Sequence, residues 1–97
     1  MIISFKSKGT EDIYHGVSSK EARKIPQEIW KVAFRKLDML EVAVVLIDLR
    51  VPPANRLEAL KGRLKGKFSI RINDQYRVVF GFKDGNAYDV EIVDYHD

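Results

Sequence analysis

The feature that most constrains the fold is a tight turn between two strand-like runs near the carboxyl end of the chain. Residues 83–86 read Lys-Asp-Gly-Asn, and Asp-Gly favours the two-residue turn of a β-hairpin. The runs on both sides are rich in β-branched and aromatic residues, which favour strands. The sequence therefore predicts antiparallel strands at Tyr76–Phe82 and Ala87–Asp94. Unbroken alternation would place Tyr88, Val90 and Ile92 on one face of the second strand.

Three further strands are predicted upstream. Leu57–Leu60 and Lys67–Ile72 are separated by a Lys- and Gly-rich turn, and residues 73–75 form a second hairpin turn. In Lys67–Ile72 the apolar side chains alternate with Ser69 and Arg71, so one face of this strand is expected to be buried. A short strand is also predicted at Ile2–Phe5.

Helices are predicted before these strands. From Pro26 onward, apolar residues recur at steps of three and four, which is the period of a helix packed on one face. The positions are Ile25, Ile29, Val32, Ala33, Leu37, Leu40 and Val44. Thr10–His15 is predicted to form one helical turn with Thr10 as its cap, whereas Val42–Ile47 is β-branched enough to be a buried strand. Together the elements predict an α+β domain with helices on one face of an antiparallel sheet.

Length and composition exclude several classes of protein. A chain of 97 residues suits a single domain, predicted here as residues 1–97. Cysteine is absent, which excludes disulfides, thiolate metal sites and a cysteine nucleophile, and fits a cytoplasmic protein. The amino terminus lacks the apolar run of a signal peptide, and no apolar run is long enough to span a membrane. No metal or cofactor motif is present, so neither is expected.

Positive charge is concentrated in one stretch. Residues 55–80 hold seven basic and two acidic residues, a net charge of +5, whereas the whole chain carries +3. A basic pair of strands with aromatic residues among the charges suits a polyanion, and RNA is the favoured one. The alternative interpretation is a solvated strand face beside a Gly-containing turn.

Three sequence blocks carry a family resemblance. They are Arg-Leu-Glu-Ala-Leu-Lys-Gly at 56–62, Ser-Ile-Arg-Ile-Asn-Asp-Gln-Tyr-Arg-Val-Val-Phe at 69–80 and Asp-Val-Glu-Ile-Val-Asp-Tyr-His at 89–96. In this order and spacing they resemble the HigB branch of the RelE/ParE toxin superfamily. The resemblance implies a RelE-like fold, with a short N-terminal strand and two or three helices packed on a curved, mainly antiparallel sheet. It also implies a short helix, not a strand, near residues 42–47.

The resemblance further implies a function. HigB-like proteins are toxins of type II toxin–antitoxin pairs and act as metal-independent endoribonucleases that cut messenger RNA on the ribosome, which blocks translation. The expected partners are the ribosome, messenger RNA and a HigA-like antitoxin with a helix-turn-helix domain. Operator DNA would be reached only through the complex with that antitoxin.

Candidate site residues follow from the chemistry of RNA cleavage. Arg and Lys can stabilise the charge that builds up on the phosphate, and His, Tyr or Asp can move protons. On this basis and on the resemblance, the candidate catalytic residues are Lys61, Arg77, Asp94, Tyr95 and His96. The candidate RNA-binding residues are Arg56, Arg63, Lys65, Lys67 and Arg71. A purely structural role for Arg77, paired with Glu91 or Asp89, is the alternative.

One position departs from the family pattern. Some relatives use a histidine three residues before the lysine of the Leu-Lys-Gly motif, where this chain has Glu58. Glu58 is therefore left outside the predicted catalytic set. Two other functions remain open at this stage, namely gyrase inhibition as in ParE-like relatives and RNA binding without catalysis.

Overall fold

The chain forms a four-stranded sheet with two α-helices packed against it. The computed structural model describes residues 1–95. The strands are β1 (Glu58–Ala59), β2 (Phe68–Arg71), β3 (Tyr76–Lys83) and β4 (Asn86–Asp94), and the α-helices are α1 (Lys8–Tyr14) and α2 (Trp30–Val42). The strands lie in chain order, and each neighbouring pair is antiparallel. The predicted α+β class is confirmed, although β1 and β2 are shorter than predicted.

The turn between β3 and β4 is the predicted hairpin. Asp84 and Gly85 both have positive φ, 52° and 79°. Two such residues in succession make the type of turn that matches the twist of the flanking strands. The Asp-Gly dipeptide is suited to it because both residues tolerate this conformation at low cost.

The alternation predicted for β4 is interrupted at Asp89. Val79 pairs with Glu91 but Gly81 pairs with Tyr88, so the register shifts between them. Asp89 has φ of 51°, and this extra residue forms a β-bulge. Tyr88 therefore lies on the same face as Glu91, and the prediction that it shares a face with Val90 is wrong.

The amino-terminal segment runs parallel to β4 and makes two isolated bridges, Ile2 to Ala87 and Phe5 to Val90. It adds a parallel element to a mainly antiparallel sheet, as the predicted short strand would. The first helix begins earlier than predicted. Ser7, rather than Thr10, is its cap, because the Ser7 hydroxyl accepts a hydrogen bond from the Thr10 amide.

The hydrophobic core lies between α2 and the inner face of the sheet. Ala33, Leu37 and Leu40 of α2 are fully buried against residues that include Ile70, Val78, Phe80 and Val90. The helical period thus predicted the buried face of α2, but α2 ends at Val42, and Val44 lies in solvent. The next residues form a 3-10 turn, Leu46–Arg50, rather than the strand that their β-branched side chains allowed.

A buried polar contact holds the segment that leads into β1. The amide of Asn55 donates to the carbonyl oxygens of Leu49 and Val51, and its side-chain oxygen accepts from the Lys36 ammonium at 2.6 Å. Burial lowers the pKa of Lys36, with a smaller contribution from nearby Arg35. These contacts anchor Asn55 three residues before β1 begins. No helix within residues 1–95 is long and apolar enough to cross a membrane.

Candidate active site on the open face of the sheet

The sheet face opposite the helices carries polar residues in successive cross-strand rows. Glu58 pairs with Ser69, Ser69 with Val79, and Val79 with Glu91. Directly paired residues point to the same face, so these four form one row. Two residues further along, Arg71, Arg77 and Val93 form the next row on that face. The alternation predicted for β2 is confirmed, because Ile70 and Ile72 point into the core.

Arg77 is the most enclosed charged group on this face. It is 8% exposed, and its Nη1 donates to Glu58 Oε1 at 3.2 Å. Its guanidinium carbon lies 4.9 Å from the centre of the Tyr95 ring, a cation–π distance. The pairing of Arg77 with Glu91 or Asp89, which the sequence left open, is not the one that forms. Glu58, which the sequence reasoning left out, is the carboxylate in contact with it.

The contact between Glu58 and Arg77 spans two strand spacings. Glu58 lies on β1 and Arg77 on β3, with β2 between them. Their backbones are therefore about 10 Å apart, and only long side chains reach across. Ser69 is the residue of β2 in the Glu58 row, and it is small and fully buried. The small side chain of Ser69 thus leaves room for Glu58 and Arg77 to meet across β2, and recognising this requires the register of all three strands.

At the end of β4, two of the predicted catalytic residues, Asp94 and Tyr95, point to opposite faces of the sheet. Asp94 pairs with Tyr76 and accepts a hydrogen bond from the Gln75 amide at 3.0 Å. By alternation it faces away from Arg77. Tyr95 returns to the Arg77 side, and its N–H donates to the Gln75 carbonyl at 2.6 Å. His96 lies outside the described residues.

The predicted RNA-binding residues, together with Lys61 of the predicted catalytic set, fall into two groups. Lys67 pairs with Asp89 at 3.5 Å, and Arg71 pairs with Asp74 in the β2–β3 turn. The other basic candidates are exposed, and within residues 1–95 they make no ion pair. They are Arg56, Lys61, Arg63 and Lys65. Lys61 lies in the loop between β1 and β2, and the ion pair that Arg77 makes within residues 1–95 is with Glu58.

This arrangement has a defined chemical capacity. A buried guanidinium can bind two oxygens of a phosphate group, and a carboxylate beside it can accept a proton. An aromatic ring at the same place can orient the guanidinium or stack on a base. In the described part of the chain, no group of three or more His, Cys, Asp or Glu side chains is placed to hold a metal ion.

Sequence comparison gives the family to which this α+β domain belongs. The model of the RelE-like toxin of the type II toxin-antitoxin system HigB matches residues 3–96. Toxin HigB-1 of Vibrio cholerae is 47% identical over 87 residues, which is 90% of each chain. Endoribonuclease HigB of Proteus vulgaris is 33% identical and covers 99% of this chain and 100% of its own. The chain therefore belongs to the HigB-like toxin family.

Solved structures give the same fold. The YoeB-YefM complex from Staphylococcus aureus contains a chain that superposes with a TM-score of 0.60 at 18% identity, and the alignment covers 100% of this chain and 99% of that one. A heterotetrameric YoeB-YefM complex from the same organism gives a TM-score of 0.58 at 17% identity. At this identity the likeness concerns the fold.

Proposed function

We propose that this protein is the toxin of a type II toxin–antitoxin pair and acts as a metal-independent, ribosome-dependent endoribonuclease on messenger RNA. Support comes from its family and from the relative in Proteus vulgaris, which is an endoribonuclease. The observation that carries the proposal is the enclosed Arg77 guanidinium, in contact with a carboxylate and an aromatic ring on the sheet face opposite the helices. These groups suit cleavage by the neighbouring 2′-hydroxyl.

The reaction assigns a role to each group. Glu58 accepts the proton of the 2′-hydroxyl, whose oxygen attacks the adjacent phosphorus. Arg77 stabilises the extra negative charge on the phosphoryl oxygens. The bond from phosphorus to the 5′ oxygen breaks, that oxygen takes a proton from His96, and the products are a 2′,3′-cyclic phosphate and a 5′-hydroxyl. Imidazole suits this step because its ordinary pKa lies near neutrality.

The remaining candidates either contact RNA or support the residues that do. Lys61 and the exposed basic residues around it contact phosphates of messenger or ribosomal RNA, while Tyr95 fixes the position of Arg77. Asp94 points to the other face, which favours a supporting role at the end of β4 over proton transfer.

The test is cleavage by purified protein on translating ribosomes, read by mapping new 5′ ends in the messenger RNA. Wild type should cut within translated codons, and Arg77→Ala should slow cleavage about 10²- to 10³-fold. His96→Gln should also slow it, whereas Lys20→Ala, at an exposed residue between the two helices, should not. If the purified protein leaves messenger RNA uncut while its expression in cells arrests growth with DNA breaks, gyrase inhibition would replace this function. RNA binding without cuts would leave a non-catalytic module.

We also propose that a HigA-like antitoxin with a helix-turn-helix domain neutralises the protein. An exposed apolar ridge supports a protein partner. Its residues run from the last residue of α2 into the segment that follows: Val42, Val44, Val45, Ile47 and Val51. Residues 42–51 carry one acidic and one basic side chain, so the ridge offers apolar surface and no net charge to a nucleic acid.

At Val44 the ridge lies far from Arg77 in the candidate active site. The Val44 carbonyl lies against Gly85 in the β3–β4 turn. This turn follows Lys83, which is six residues along β3 from Arg77 and so about 20 Å away. Val44→Asp should weaken the complex with the co-expressed antitoxin in gel filtration, and Arg77→Ala should leave it intact. An unchanged complex with Val44→Asp would remove the ridge from the interface.

A further inference from the structure

Arg77 is held in the described structure by a carboxylate of its own chain. Its Nη1 donates to Glu58, yet its Nε is buried and finds no hydrogen-bond acceptor among residues 1–95. The hydroxyl of Ser69, the cross-strand partner of Glu58, is also buried and has no hydrogen bond within the described part of the chain. A buried donor without an acceptor is costly, so two unsatisfied donors beside one charged pair mark a place suited to an anion with several oxygens.

A phosphate and a carboxylate compete for the same part of a guanidinium. Both are oxyanions that accept hydrogen bonds from the arginine fork, and their like charges oppose binding side by side. The Arg77 and Glu58 side chains differ in how freely they can move. Arg77 lies on β3 between two neighbouring strands, whereas Glu58 lies on a two-residue edge strand and its side chain is 47% exposed. Glu58 is therefore the partner that can move.

We infer that Glu58 occupies, on Arg77, the place that the RNA phosphate takes, so that the free protein keeps its own site closed and RNA must displace Glu58 to bind. The inference rests on the proposed function in one respect, that the anion is an RNA phosphate. Displacement gives phosphate oxygens access to the donors Arg77 Nε and Ser69 Oγ, which are buried while Glu58 is in place. It also leaves the Glu58 carboxylate next to the bound phosphate, where it can accept the 2′-hydroxyl proton.

This role makes an unusual prediction for Glu58→Gln. The amide is neutral and binds Arg77 more weakly than a carboxylate does. The variant should therefore bind RNA more tightly while cleaving it more slowly. A residue that merely supports the fold would weaken both together.

The experiment measures binding of a short fluorescent single-stranded RNA with a 2′-deoxy sugar at every position next to a scissile bond, so that cleavage cannot occur. Glu58→Gln should bind about tenfold more tightly than wild type. Glu91→Gln is the matched control, because Glu91 lies in the same row on the same face and forms no ion pair with Arg77. It removes the same charge and should improve affinity no more than about twofold.

A double variant isolates the competition. In an Arg77→Gln background, adding Glu58→Gln should change affinity by no more than the Glu91→Gln control does. Thermal melts establish that each variant is folded. An effect of Glu58→Gln that equals the effect of Glu91→Gln, or that persists without Arg77, would show only long-range repulsion and overturn the inference. The binding assay involves no cleavage, so failure of wild type to cut messenger RNA would refute the proposed function without deciding this result.

Discussion

The Arg77 guanidinium lies over the Tyr95 ring, with 4.9 Å between the guanidinium carbon and the ring centre. A desolvated contact of this kind contributes about 1–2 kcal/mol. Tyr95→Ala should therefore slow single-turnover cleavage about tenfold by loosening Arg77. Tyr95→Phe keeps the ring and should stay within about threefold of wild type. If Tyr95→Phe is as slow as Tyr95→Ala, the hydroxyl takes part in the reaction and the ring contact alone does not explain the role of Tyr95.

The exposed and the paired basic residues should differ in how they contribute to RNA binding. Lys65 is exposed and within residues 1–95 has no ion pair, whereas Lys67 must leave Asp89 to reach a phosphate. Each lost phosphate contact should reduce the slope of log affinity against log salt by about 0.7 for single-stranded RNA. We expect this reduction for Lys65→Ala and a smaller one for Lys67→Ala, measured by fluorescence anisotropy over a salt series. Equal slopes for the two variants would show that the ion pair does not restrain Lys67.

Much of this fold could be predicted because its signals are local. The Asp84–Gly85 turn, the alternation in β2 and the helical period before Leu40 each depend on residues close together in sequence. The local patterns did not predict where α2 ends or where β4 is interrupted. Val44 continued the helical period but lies beyond α2, and the bulge at Asp89 moved Tyr88 to the other face. Neither the end of the helix nor the bulge is marked by a residue type that would reveal it in a single sequence.

The candidate site could be predicted only in part. Arg77 was identified by its motif, and its place on the face opposite Tyr76 followed from alternation. Its contact with Glu58 could not be read, because the two residues are 19 positions apart and meet across an intervening strand. That meeting depends on the pairing of three strands and on a small residue, Ser69, between them. Long-range register of this kind is a property of the assembled sheet.

Gly9 should be the glycine least tolerant of alanine. A Cβ at Gly9 would lie 2.6 Å from the Glu21 carbonyl oxygen, and backbone atoms cannot move aside as a side chain end can. In a helix, alanine is more stable than glycine by about 0.5–1 kcal/mol. Relieving this overlap should cost more than that, so Gly9→Ala should lower the free energy of unfolding by about 1–3 kcal/mol. Gly81→Ala is the matched control, because its Cβ would meet Tyr88 at an ordinary 3.8 Å. Urea denaturation measures both, and equal stability would mean that the segment around Glu21 relaxes freely.

Asp12 should make stability depend on pH in the acid range. Its carboxylate is buried and accepts hydrogen bonds from Lys8 at 2.7 Å and from Ser19 at 2.6 Å. Hydrogen bonds from Lys8 first and Ser19 second hold the pKa of Asp12 below its usual value of 3.8. A pKa lowered by folding stabilises the protein above the unfolded-state value, and this stabilisation is lost as pH falls through the folded-state value.

Asp12→Asn should therefore unfold at lower urea concentration than wild type at neutral pH, and the difference should shrink as the pH drops below about 4. Asp84→Asn, in the exposed β3–β4 turn, serves as the control and should stay close to wild type throughout, since asparagine also suits a positive φ. The sign of the trend is what distinguishes an ionised Asp12 from a merely space-filling one. A difference between wild type and Asp12→Asn that stays constant down to about pH 2 would mean that the charge of Asp12 contributes nothing and only its shape matters.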